Sequence, residues 1–565
     1  MLQPMGSDPL VGWLKLHKIN TDLAPTLRIC IEKYAHQIKE LKIEDLPDRD
    51  INIPDEEISK VQVAINNTRP QVFVDLADRG RLNILTTWKM NYDTIAKEND
   101  TREFLHICSC LATRIQVALF VDGAKCLYPG DLRDSIYPKQ GSGRKSSKQA
   151  VQKKIIDLFQ RIKHFSFATN VVGESEEEEH RRSLGRMGEY TVHRLLQFVV
   201  FMRFIKPHER IQCINNTLNI LEKLFPKMEE SQDGSTGGVR DRHSIIAFHT
   251  LALAEQIRSA IEENGTAALN DVNPLFVAVS TYLFRLGRAR DAKVLCKVMV
   301  SLSRSRKPVN KIKLADELCH LGEAYFQIGE EKLGKAEERL GESFALLEKI
   351  KGKNDIDVLT AKQRHARILQ NMKEYLMDEE KRVKVKVMLE DILEKMKTLF
   401  ETPEEQQNLN IANAMHQLGR FYQDTSDYEK AQHLLEKSLE IRQTYWQRKF
   451  GTADVESVAY GLTNLARNYI ISSSKDTKKT EELLEEALKI KEKRLAPTNE
   501  SYQLGKYYLA AYYRIQGQND LSEKTAEDIV TDTYRKKLEG LLQKGSNTSG
   551  KVNLKEVFPP EKIDI

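Results

Sequence analysis

Three arginines, Arg367, Arg420 and Arg467, recur at one place in the first helix of three successive helix-pair units, and Arg514 lies three positions further on in a fourth. A guanidinium offers a planar fork that grips a carboxylate through two hydrogen bonds and stacks on aromatic rings, which a Lys ammonium does less well. Helical periodicity puts positions 2, 5, 9 and 12 of such a helix on one face. That face carries Asn413, His416 and Gln423 beside Arg420, Tyr460 and Thr463 beside Arg467, and Tyr507 ahead of Arg514. The more degenerate unit around Arg367 supplies Thr360, Gln363 and Gln370. These residue types predict a groove that binds an extended acidic peptide with an aromatic or Leu anchor. Ordinary solvated arginines in a chain that is 30% charged are the competing reading.

Other chemistry is poorly represented. The seven cysteines are scattered, with no C-x-x-C; Cys108 and Cys110 stand one residue apart and lack a second pair, so zinc is not expected. Reduced thiols filling a core are the expectation. No phosphate loop, G-x-S-x-G, H-E-x-x-H or glycine-rich dinucleotide turn occurs, and no cofactor or metal is expected. Helical ribonucleases carry Arg and His with four to six residues between them, as do Arg186/His193, Arg203/His208 and Arg242/His249, but chance supplies about as many in a chain with 13 His.

The helices that must position the arginines are clearest at residues 412–442, ANAMHQLGRFYQDTSDYEKAQHLLEKSLEIR. Two amphipathic helices flank a polar turn. With Leu418 as position 7, Gly419 falls at 8, Tyr422 at 11, Ala431 at 20, Leu435 at 24 and Ser438 at 27. Small residues at 8, 20 and 27 let helices approach, and large ones at 7, 11 and 24 fill the gaps. One such pair cannot bury its apolar face alone, so neighbours are required. Position 7 recurs at Val279, Leu321, His365, Leu418, Leu465 and Leu509, predicting an all-α solenoid of about six helix pairs over residues 241–540.

This is the pattern of tetratricopeptide repeats, spaced more widely than the basic repeat of about 34 residues. With segments such as LTNLARNYI and ELLEEALKIKEKRL, residues 270–535 resemble the repeats of the kinesin light chain and nephrocystin group. The resemblance implies a non-enzymatic adaptor with protein partners in a concave groove. No a/d heptad pattern persists before residue 240, so the light chain's coiled coil is not expected. In those light chains a Leu-Phe-Pro and acidic segment occupies the groove; Leu224-Phe225-Pro226 and the run at 174–179 are the candidate equivalents here.

The remaining regions are read as follows. Residues 1–135 form a mostly helical domain, with helices at 22–42 and 102–121 and an ambiguous stretch at 72–97. Residues 136–240 combine linkers and helices, including a helix pair at 191–206 and 209–227, and a single long helix spans 244–261. Residues 541–565 are a polar tail expected to be disordered. Ser146 and Ser147 suit a basophilic kinase, and Ile563-Asp564-Ile565 has the form of a strand-adding tail ligand. The net charge of +5 is small and does not point to nucleic acid. No secretory h-region opens the chain, so a cytoplasmic location without membrane insertion is expected. An alternative organisation is a sensor, in which residues 1–240 signal and the repeats detect a ligand.

Overall fold

The computed structural model describes residues 83–137, 147–170, 188–225, 237–264, 269–372, 375, 378–400, 402, 408–472, 476–545 and 554–558. The helix expected at 22–42, the acidic run at 174–179, Ser146, Arg186, Pro226 and the terminal 563–565 lie outside them. The chain divides into two compact units, residues 1–97 and 98–565. Of the first, helix α1 (Asn83–Ile95) is described. It shows the ambiguous 72–97 stretch to be helical in that part, and Lys89 pairs with Asp93 one turn on.

The second unit begins with helices around a small sheet. The single helix expected over 102–121 is instead α2 (Asn99–Cys110), strand β1 (Arg114–Gln116) and α3 (Val117–Gly123). The break has a visible cause. The buried amide of Gln197 donates to the carbonyls of Cys108 and Leu111 at 2.8 and 2.9 Å, satisfying orphan carbonyls at the end of α2. After α4 (Asp131–Ile136) and α5 (Lys148–His164), strands β2 (Thr169–Asn170) and β3 (Glu189–Thr191) complete an antiparallel sheet of order β1-β3-β2. Ser147 caps α5 by accepting from the Ala150 N–H at 3.2 Å. The ladder joins residue 115 to 190, so the segments on both sides of position 135 share one core. Phe104, Phe120, Phe159 and Tyr190 pack at its centre, the last two stacked at 4.2 Å.

Helices α6 (Arg194–Val199) and α7 (Pro207–Leu224) follow, the second begun by Pro207. Helix α8 (Gly237–Asn264) is the expected single long helix, and it packs on α2, on α7 and on the start of the repeats. Phe225, the residue after α7, sits edge-on to His243 at 4.8 Å and beside Tyr282. Leu224-Phe225 therefore ends a helix in the core and occupies no groove. His249, of the Arg242/His249 pair, is buried and accepts the Ala112 N–H at 3.0 Å, while Arg242 reaches Asp122 instead.

Six helix pairs then stack in sequence: α9 (Asn273–Arg285) with α10 (Ala289–Ser305), α11 (Lys311–Ile328) with α12 (Leu333–Lys351), and α13 (Ile356–Gln370) with α14 (Glu379–Leu399). They continue with α15 (Leu409–Asp424) and α16 (Tyr428–Phe450), then α17 (Glu456–Ile471) and α18 (Thr477–Arg494). In the last pair α19 (Glu500–Ile515) faces a second helix divided into α20 (Asn519–Ala526) and α21 (Asp532–Gly545). The small residues do what their spacing requires. A Cβ on Gly419 would lie 3.0 Å from Leu435 Cγ, and one on Gly322 2.7 Å from Leu340 Cγ. Position-27 serines tie the second and fourth pairs together, with Ser343 donating to the Ala315 carbonyl and Ser438 to that of Ala412, both at 2.6 Å.

Candidate functional site on the inner helices

The first helices of the six pairs line the inside of the array, and their polar residues touch from one pair to the next. Gln370 donates its amide to the Gln417 carbonyl at 3.2 Å, and Gln423 repeats the contact one unit later with the Asn464 carbonyl at 2.8 Å. Both glutamines hold position 12 and both carbonyls position 6. The result is a side-chain ladder between inner helices, built at places where an apolar residue would leave a carbonyl of the next helix unmatched.

The arginines belong to this ladder. Arg367 pairs with Glu323 on α11 and lies over the Phe326 ring at 4.7 Å. Arg420 donates to the Tyr460 hydroxyl at 3.2 Å, and Arg467 donates back to the Gln423 amide oxygen at 2.9 Å. Arg514 stands apart at the turn into α20, bonded to Asn519 at 2.9 Å and near Glu523 at 3.8 Å. The spacing thus brings Arg367, Arg420 and Arg467 to the inner face, but within the array rather than on an open wall; Arg467 is 2% exposed. Position in a repeat says which face a residue occupies. It does not say how close the opposing helices come.

The other expected residues are equally engaged. Asn413 accepts from the buried Arg442 at 2.6 Å. Thr463 donates to the Ala459 carbonyl and accepts from the buried Lys491 at 3.1 Å. His416 is fully buried with its ring 4.5 Å from that of Tyr460. Burial, reinforced by the positive charges of Arg442 and Arg420, holds its pKa well below the ordinary imidazole value, so the ring is neutral. Arg442 and Lys491 were not singled out by the sequence because they sit on outer helices, where a basic residue reads as solvated.

Two longer-range contacts add to those between neighbouring pairs. The superhelix winds back on itself, so the end of α9 meets the fifth and sixth pairs. Arg285 and Glu456 form an ion pair at 3.1 Å, with Arg285 donating one hydrogen bond to the Glu456 carboxylate. Asn499 donates to the last carbonyls of α9, Phe284 and Arg285, at 3.1 and 3.0 Å. Gly287 (φ 72°) lets this loop approach, since a Cβ there would lie 3.1 Å from the Thr498 carbonyl. The second contact comes from the tail. Residues 554–558, within the stretch expected to be a polar tail, include the short helix α22 (Leu554–Val557) lying against α17. The Tyr507 hydroxyl donates to the Val557 carbonyl and Arg467 Nε to the Phe558 carbonyl, both at 2.7 Å. The Phe558 ring is fully buried, edge-on to Tyr508 at 5.3 Å.

The inner-helix geometry, small residues at 8 and 27 and a polar inner face, now stands beside a direct family match. Residues 411–445 match the family model of a tetratricopeptide repeat. The match covers most of α15 and α16, and the chain resembles tetratricopeptide proteins of the kinesin light chain type. The nearly identical repeats of a Podosopora anserina protein of kinesin light chain type share 20% identity, over 42% of this chain and 99% of that one, with a TM-score of 0.29. BtubC from P. vanneervenii gives 17%, 47%, 95% and 0.31, and a Rap protein complexed with competence and sporulation factor gives 10%, 61%, 95% and 0.35. At these values the likenesses carry no function with them. No curated protein matches the sequence significantly. A tetratricopeptide array is in general a protein-interaction scaffold. Among the described residues no helix is long and apolar enough to cross a membrane, and no cluster of three or more His, Cys, Asp or Glu could hold a metal.

Proposed function

We infer that the chain is a non-enzymatic, cytoplasmic protein-interaction scaffold that takes an extended peptide segment against its inner helices. The observation that supports this reading is the pairing of Tyr507 and Arg467 with two successive main-chain carbonyls, at 2.7 Å each. Donors aimed at a main chain hold a segment whatever its side chains, and an adjoining aromatic pocket adds selectivity. An acidic ligand suits the site for a further reason. The partners of the buried Arg467 guanidinium are neutral, Gln423 and a carbonyl, so a ligand carboxylate would form the stronger, charge-assisted bond.

Fluorescence anisotropy with labelled peptides tests this. Peptides with a Phe or Leu anchor beside Asp or Glu are expected to bind, and Arg467→Gln to weaken them about tenfold or more, the worth of a charged hydrogen bond. Far-ultraviolet circular dichroism should be unchanged. Equal affinity for acidic and uncharged peptides would remove the acidic preference, and undiminished binding by the variant would remove the site.

A further inference from the structure

We propose that residues 554–558 are an exchangeable internal ligand, and that the site they fill captures partner segments carrying the same pair, an apolar residue followed by an aromatic. The proposal rests on the peptide-binding reading above and deepens it by naming the competitor and the recognition pattern.

Four observations carry it. The segment is held through its main chain, by Tyr507 at Val557 and Arg467 at Phe558. A foreign segment can present the same two carbonyls without matching the rest of the sequence. Among the described residues its deepest anchor is the Phe558 ring, fully buried against Tyr508, with Val557 beside it at 9% exposure. A single aromatic anchor flanked by main-chain contacts is the economy of a peptide ligand. Next, Arg467 and Tyr507 stand on α17 and α19, at the inner positions where a repeat array meets its ligands. Finally, α21 ends at Gly545 and the segment begins at Leu554, so eight residues connect the occupant to the array. Their sequence, SNTSGKVN, contributes few apolar anchors.

The tether sets the threshold for exchange. A short connection holds its ligand at an effective concentration on the order of a millimolar. A free segment of equal intrinsic affinity therefore displaces the tail only near that concentration. A partner must bind better, and a carboxylate within reach of Arg467 is one way to do so. The chain is then closed to weak ligands and open to those with the apolar–aromatic pair and a further contact.

The experiment uses the full chain and a fluorescein-labelled peptide of residues 551–561. In the unmodified chain the tail competes, and weak binding is expected. Phe558→Ala removes the internal anchor and should tighten the peptide at least tenfold. Adding Arg467→Gln to that variant should reverse the gain. Equal affinity for the unmodified and Phe558→Ala chains would overturn the proposal. Should Phe558→Ala fail to fold, a protease site placed between Gly545 and Leu554 replaces it. After cleavage of the folded chain, release of the tail and its exchange for labelled peptide support the proposal, and permanent retention overturns it. Acidic peptides run in parallel separate the two readings. If they bind the unmodified chain and gain nothing from Phe558→Ala, the scaffold stands and the internal ligand falls. If none binds a folded Phe558→Ala chain, both fall.

Discussion

Gly322 and Gly419 occupy the same position in two repeats, yet their surroundings differ by a few tenths of an ångström. An added Cβ lies 2.7 Å from Leu340 Cγ in the first and 3.0 Å from Leu435 Cγ in the second. Alanine gains about 1 kcal/mol of helix propensity over glycine, but overpacking costs about 1–3 kcal/mol. Gly322→Ala should therefore destabilise the chain by about 1–2 kcal/mol and Gly419→Ala by less, read from urea midpoints at constant slope. Buried histidines set the acid limb of stability. Burial lowers the pKa of His249 to about 4 and of His106 to about 3, the latter with help from Arg102, and holds that of His416 well below the ordinary value. Their folded pKa values lie below the unfolded one, so the stability they confer is full above about pH 6.5 and is lost as pH falls. Burial raises the carboxyls of Glu317 and Glu456, which act in the opposite sense above about pH 4.5. Burial lowers His320 and His365 as well, and raises Glu103, Asp316 and Glu486. Because all five histidines take up their protons in the unfolded chain through the window just below about pH 6.5, the urea midpoint should fall between about pH 6.5 and 5. His416→Leu should flatten that slope; an unchanged slope would mean that His416 titrates normally.

Among elements, the informative contact is the loop between α18 and α19. Asn499 caps α19 by accepting the Ser501 N–H at 2.8 Å while its amide holds two terminal carbonyls of α9. An N-cap is worth about 1 kcal/mol, and each further hydrogen bond about as much. Asn499→Ala should cost about 2–3 kcal/mol, and hydrogen exchange should quicken at the end of α9 as well as at the start of α19. Faster exchange at α19 alone would show that the closing contact contributes nothing. The helix pairs were legible in the sequence because small and large residues at fixed spacing report directly on helix approach. The break of 102–121 was not, since it depends on Gln197, which lies about 85 residues away along the chain and takes the carbonyls of Cys108 and Leu111. Periodicity counts apolar residues along one segment, and nothing in that segment announces a distant amide.

At the scale of the molecule, closure rests on Arg285 and Glu456. Glu456 is buried, while its partner Arg285 keeps some solvent exposure. Removing one member of a buried pair leaves an uncompensated charge. Arg285→Glu goes further by placing like charges together, and should open the superhelix. Small-angle scattering should then show a larger radius of gyration, with α9 and α17 more accessible to protease. An unchanged radius would mean that the tail and the Asn499 contact suffice to hold the array closed.

The sequence by itself determined the repeating unit, its register and the face on which Arg367, Arg420 and Arg467 stand, because these follow from 3.6-residue periodicity and residue volume within about 35 residues. Only the tertiary structure decided what that face meets. Whether a groove position is open depends on how tightly six pairs wind, on an ion pair between residues 285 and 456, and on a phenylalanine at 558. Small rotations add from pair to pair, so superhelical closure is a sum over the whole array. No single repeat contains it.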